Sequence, residues 1–125
     1  MSSLAKWTDN SPQKEFSWRS RDGKRYPISL MESRHLGHTL VMIWNHTMPE
    51  DAATHDYIRY SFSKTYTRQY MLDAVKALLP ELRRRKDIPQ LIKFRLIFME
   101  NYILNKRPKD FEQLILAIEK EPTNV

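Results

Sequence analysis

Apolar residues along this chain recur mostly at intervals of three and four, the period of amphipathic helices. Leu36, Leu40, Ile43 and Trp44 form one such stripe, bordered by Met31, His35 and Met42, and predict a helix over about 30–45. Ser29 followed by Glu32 has the spacing of a capping box, which makes Ser29 the expected N-cap. Met71, Leu72, Val75, Leu78, Leu79 and Leu82 predict a second helix over 65–86. Pro80 falls inside it and should kink or divide it near Leu78. A third helix, 89–104, is expected to be capped by Asp87, with Pro89 in its first turn and Asn105 at its end. Its run from Leu91 to Leu104 is apolar nearly all round, as suits a central helix or one shared with another subunit. Pro108 then introduces a last helix over 109–120, with Phe111, Leu114, Ile115 and Ile118 as its stripe.

Before the first helix the pattern changes. Phe16, Trp18, Tyr26 and Ile28 flank Arg21-Asp22-Gly23-Lys24, and an Asp-Gly pair between short aromatic arms predicts a β-hairpin over 16–28. Pro27 has no N–H to give to a ladder, so the second arm must be an edge or must end there. A lone two-stranded ribbon is marginal in water and needs a helix beneath it. Gly37, inside the first helix, points to a close backbone crossing or to a ligand reaching the helix surface. Residues 57–63 read two ways. Ile58, Tyr60 and Phe62 alternate with polar residues as in a strand, while Ile58, Phe62, Tyr66 and Tyr70 step by four. A short strand or extended segment is the preferred reading. Residues 1–14 read as a polar arm and 121–125 as a tail. The expected fold is thus mainly α: one domain over 15–120, a hairpin packed on a bundle of about four helices.

Composition narrows the function. The chain has 125 residues, no cysteine and two glycines. A single domain of this length can bury a core without staples, and disulfides and thiolate metal sites are excluded. So few glycines exclude a phosphate-binding P-loop or a dinucleotide fingerprint, and no nucleophile elbow or paired-carboxylate motif is present. No cofactor is expected. The first residues lack the apolar core of a secretory signal, and no apolar run approaches the roughly 20 residues that span a bilayer. The expected address is the cytoplasm, with no membrane partner.

Charge adds more. The formal net charge is +6, and it is concentrated: residues 81–109 hold nine Lys/Arg against Glu81, Asp87 and Glu100, while the rest of the chain is balanced. Concentrated positive charge favours an anionic partner. Three clusters are candidates: Arg83, Arg84, Arg85 and Lys86 at one helix end; Lys106, Arg107 and Lys109 at the far end of the next, about 30 Å away at 1.5 Å per residue; and Arg19, Arg21, Lys24 and Arg25 on the hairpin. Arginine suits bidentate phosphate contact, although a basic run at a helix C-terminus also complements the helix dipole. Tyr57, Tyr60, Tyr66 and Tyr70 could stack on bases or serve a core or subunit interface.

The pattern Trp18-x3-Asp22-Gly23-x4-Ile28-x2-Met31-x3-His35-Leu36 resembles a motif recurring in small orphan proteins of tailed bacteriophages. In those proteins a Trp and a DG turn lead into a helix that opens with Met and a His-Leu pair. The resemblance spans residues 18–36. It implies a phage accessory protein, a class rich in host-takeover and anti-defence factors, acting in the host cytoplasm. It does not imply a reaction. The motif can also be read structurally, with Trp18 packed on Ile28 and Met31 and His35 bonded to a turn carbonyl.

Three functions follow as expectations. The first is a non-catalytic phage accessory protein that binds a nucleotide signal or nucleic acid through Arg/Lys clusters. The second is a protein–protein inhibitor of a host defence complex such as a CRISPR effector. The third is a small hydrolase using Glu32, His35 and His38, with His46 and His55 further along. Glu32 and His38 lie at i and i+6, about 240° apart around a helix, so one metal could hold them all only if Gly37 distorts the helix. The nearly all-apolar third helix and the many aromatics further predict self-association.

Overall fold

The computed structural model describes residues 15–54 and 62–120. The predicted arm, the tail and most of the ambiguous 57–63 segment lie outside the described residues. The described part is mainly helical, with a two-stranded antiparallel hairpin at its N-terminal end: β1 (Ser17–Arg19) pairs with β2 (Arg25–Pro27), placing Trp18 opposite Tyr26 and Arg19 opposite Arg25. Four α-helices follow among the described residues: α1 (Ser33–Thr47), α2 (Arg68–Arg84), α3 (Gln90–Lys106) and α4 (Glu112–Lys120).

The hairpin forms where the Asp-Gly pair predicts it. The Ser20 N–H donates to the Lys24 carbonyl at 2.9 Å, and the Gly23 N–H donates to the Ser20 carbonyl at 3.0 Å. Gly23 sits at φ 86°, left-handed backbone that only glycine adopts freely. Pro27 ends β2, as its missing N–H requires.

The Leu36, Leu40, Ile43 and Trp44 stripe of α1 is wholly buried and packs against α2, whose Leu78, Leu79 and Leu82 are equally inaccessible. At roughly 1.5–3 kcal/mol per buried aliphatic side chain, this seam is the main source of stability. The helix α3 crosses α1 at Gly37. A Cβ there would come within 2.8 Å of Ile92 Cγ2, so the glycine serves a close crossing. Beyond α1, the indole N–H of Trp44 donates to the Ala52 carbonyl at 2.6 Å, and the Asn45 side chain brackets Thr54 with two bonds of 2.9 Å.

Several helix boundaries differ from expectation, and at two of them the expected cap bonds to a partner distant in sequence. Ser29 does not cap a helix over 30–45. It lies in a 3-10 turn, Ile28–Leu30, and α1 starts four residues later, after Glu32, with no side-chain cap. Ser29 donates instead to the Glu15 carboxylate, from its N–H at 2.5 Å and its Oγ at 3.0 Å. Asp87 does not cap α3, which follows Pro89; it accepts a bond of 2.7 Å from Ser33 Oγ. Thr67, not Thr65, opens α2, accepting from the Tyr70 N–H.

Pro80 does not divide α2, which is helical across it. A helix-interior proline costs about 3 kcal/mol, and the buried leucines on either side of it outweigh that. Asn105 is not the end of α3. The helix reaches Lys106, and Arg107 takes the left-handed closing position at φ 48°. Residues 109–111 form a 3-10 turn that leads into α4.

Nor is α3 central. Ile92, Leu96, Met99 and Ile103 form its one buried face, while Leu91, Phe94, Ile97 and Phe98 are exposed. No described helix is long and apolar enough to cross a membrane.

Candidate functional site: three basic clusters with different fates

The tract at the end of α2 is largely absorbed by the fold. Arg85, at the C-cap of α2, turns back onto the 3-10 turn below the hairpin. Its Nη1 donates to the Met31 carbonyl at 2.6 Å and to Ser33 Oγ at 3.1 Å, and its Nη2 donates to the Ile28 carbonyl at 2.9 Å. Its Nε is held by Glu81 at 3.0 Å. Ser33 passes the network on to Asp87. A guanidinium presents five donors in a planar fork, and here they reach the Met31 carbonyl and add a second donor to the Ile28 carbonyl, which already accepts the Met31 N–H at 3.1 Å. Arg84 pairs with the other oxygen of Glu81, and Arg83 bridges to Glu100 on α3 at 2.6 Å. Of the four residues, only Lys86 stands outward without such a role among the described residues.

The second cluster is partly matched. Lys106 lies 3.7 Å from Asp51, and Arg107 pairs with Glu119 at 3.0 Å, which raises the already high pKa of its guanidinium through hydrogen bond and charge. Lys109 is exposed beside Arg107 and Glu112. These are surface pairs in water, and such pairs stabilise a fold little.

The hairpin is different, because its anchoring and its charge lie on different groups. Tyr66 and Tyr70 fasten the open edge of β1. The Tyr70 hydroxyl accepts from the Arg19 N–H at 2.8 Å and donates to the Ser17 carbonyl at 3.1 Å, and the Tyr66 hydroxyl donates to the Arg19 carbonyl at 2.8 Å. Two phenols thus take the place of a third strand. Burial pushes the Tyr70 hydroxyl above its ordinary value, opposed by its backbone bond to Arg19. Their rings join Phe16, Trp18 and Phe62 in one aromatic cluster, with Trp18 stacked on Tyr70 at 5.7 Å between centroids. Trp18 therefore packs against later aromatic residues, and His35, expected on a turn carbonyl, is exposed on α1.

Arg19 is drawn into this cluster. It lies over Tyr66 at 4.6 Å and Tyr70 at 5.3 Å, and its Nη2 donates to the Thr65 carbonyl at 2.6 Å. Arg25, directly opposite on β2, keeps its charge at the surface, as do Arg21 and Lys24 in and beside the turn. Like charges directly opposed on a ribbon repel, so the pair is held by the fold against its own electrostatics. The nearby carboxylate, Asp22, is committed to the turn. It accepts from Ser20 Oγ and from the Lys24 N–H, and the Ser20 bond, above all, lowers its pKa. Among the described residues no carboxylate within salt-bridge distance pairs with Arg21, Lys24 or Arg25.

Of the four candidate stacking tyrosines, Tyr57 and Tyr60 lie outside the described residues, and Tyr66 and Tyr70 are held as above. Glu81, which holds both Arg84 and Arg85, is an organising residue that no local pattern singles out, whereas the step of four from Tyr66 to Tyr70 signals the anchoring pair. Glu32 precedes α1, and His35 and His38 stand exposed along it. Among the described residues no group of three or more His, Cys, Asp or Glu is arranged to hold a metal. His46 packs on Phe62 at 4.7 Å, and His55 lies outside the described residues. Comparison of the chain with protein-family models, with curated proteins and with solved structures found no match.

Proposed function

We propose that this chain is a non-catalytic accessory protein of the bacteriophage kind, acting in the host cytoplasm in takeover or anti-defence. Its hairpin captures an anionic target, a nucleotide signal or a nucleic acid. The observation that carries this reading is the exposure of Arg21, Lys24 and Arg25 on a ribbon whose edge is already fastened by Tyr66 and Tyr70. Such a ribbon offers its charge without having to order itself first, which lowers the entropic penalty of binding. The resemblance of residues 18–36 to a motif of small orphan phage proteins is what supports the phage class.

Titration of fluorescent single-stranded oligonucleotides and of nucleotides, followed by anisotropy over a range of salt, tests it. Three neutralised phosphates on a single strand predict a log–log salt slope of about −2. Reversing the three hairpin cations to Glu abolishes that binding, whereas Lys86→Glu leaves most of it. Binding that ignores salt, or that survives the triple reversal, overturns the reading and points to a dry protein interface instead.

A further inference from the structure

The outward face of α3 combines features that a solvated helix does not need. Leu91 is 53% exposed, Phe94 56%, Ile97 55% and Phe98 39%. Three- and four-residue steps place these side chains along one arc opposite the buried Ile92, Leu96, Met99 and Ile103. Gln90, Asn101 and Asn105 complete that arc, so it carries no charge along the whole helix, in a chain of which 29% is charged. Given aromatic side chains of ~150–250 Å², the four apolar residues present about 400 Å² of apolar surface, within the range of the largest and often functional patch on a monomer.

We infer that this face is a two-fold, antiparallel dimer interface between two copies of the chain, a surface separate from the hairpin. An isologous interface must be complementary to itself. An apolar stripe without charge meets that condition, whereas an acidic partner, the alternative that a +6 protein attracts, would find no cation within it. The flanks fix the direction. Lys93 lies four residues before Ile97, and Glu100 three residues after it. With the helices crossing antiparallel near Ile97, Lys93 of each copy falls opposite Glu100 of the other. A parallel pair would instead set this flank against the opposite one, bringing Lys93 against Arg95. Glu100 retains Arg83 at 2.6 Å in its own chain and offers the facing lysine a second contact. The area agrees in scale: the four apolar side chains supply about half of the ~800 Å² per partner of a standard interface, and the polar remainder of the arc extends it.

Sedimentation equilibrium is expected to give twice the chain mass of 15.0 kDa. Phe94→Glu should return the protein to monomer with its circular dichroism unchanged, because that ring is mostly in water already. The absence of native cysteine makes a directional test available. Ile97→Cys should form a disulfide-linked dimer on oxidation. Leu91→Cys should not, since antiparallel crossing at Ile97 leaves the two positions about 18 Å apart at 1.5 Å per residue. A monomer at about 0.1 mM, far above a micromolar Kd, overturns the interface. So does a dimer that Phe94→Glu leaves intact, and crosslinking at both positions overturns the antiparallel arrangement.

Discussion

The arginines that end α2 and those on the hairpin are alike in composition and opposite in use. Arg85 has 14% of its side chain exposed and faces backbone carbonyls, Ser33 and Glu81. Arg21 and Arg25 stand in water, beside an aspartate that is occupied with its own turn. In the first case the charge closes a gap in backbone hydrogen bonding; in the second, neighbouring tyrosines have closed the gap and the charge is left over. The densest positive charge along the sequence therefore falls on arginines that the fold itself uses, not on the ones it leaves in water.

The largest effect should come from breaking the first region. Arg85→Ala leaves Glu81 with the more exposed Arg84 alone and strips a donor from each of the carbonyls of Ile28 and Met31. Removing one member of a largely buried charged network costs about 3–5 kcal/mol, so urea denaturation should show a loss in that range. Arg85→Lys should recover only part, because an ammonium cannot reproduce the fork.

A smaller effect comes from the hairpin's anchor. Tyr70→Phe removes the hydroxyl that bridges Arg19 and Ser17 and should lower stability by about 1–2 kcal/mol, read from the urea midpoint. The same hydroxyl sets an alkaline limit. Its folded-state pKa is raised, so its contribution is fully present below the unfolded value of about 10 and is lost as pH rises through the folded one. The Tyr102 hydroxyl, raised by burial and by its bond to Asp51, acts in the same sense. Stability should fall above about pH 10, and Tyr70→Phe should flatten that fall without abolishing it.

The smallest effect should come from the outward charges. Converting Arg21, Lys24 and Arg25 to Glu should move stability by no more than about 0.5 kcal/mol per substitution while removing anion binding. A large loss of stability would show that the hairpin cations are structural after all and erase the contrast with Arg85.

How far the sequence foretold the molecule depends on the kind of contact. The α1 stripe, the α2 leucines and the Gly23 turn are all where the pattern puts them. Ser29 and Asp87 have the correct spacing for caps and do not act as caps, since Glu15 and Ser33 offer them better partners. The hairpin cluster was visible as charge, but not its distinction from Arg83 to Arg85.

The sequence by itself determined which residues face inward along α1, α2 and α4, though not along the evenly apolar α3, and where the first turn closes. Both depend on periodicity and on backbone freedom within a few residues. Only the tertiary structure decided which polar groups are satisfied. Arg85 meets Met31 across 54 positions, and Tyr70 meets Ser17 across 53. A side chain's hydrogen bonds are shared out among whatever acceptors the fold brings within about 3 Å. Until the chain has folded, a cation that will hold it together and one that will stand in water are the same residue.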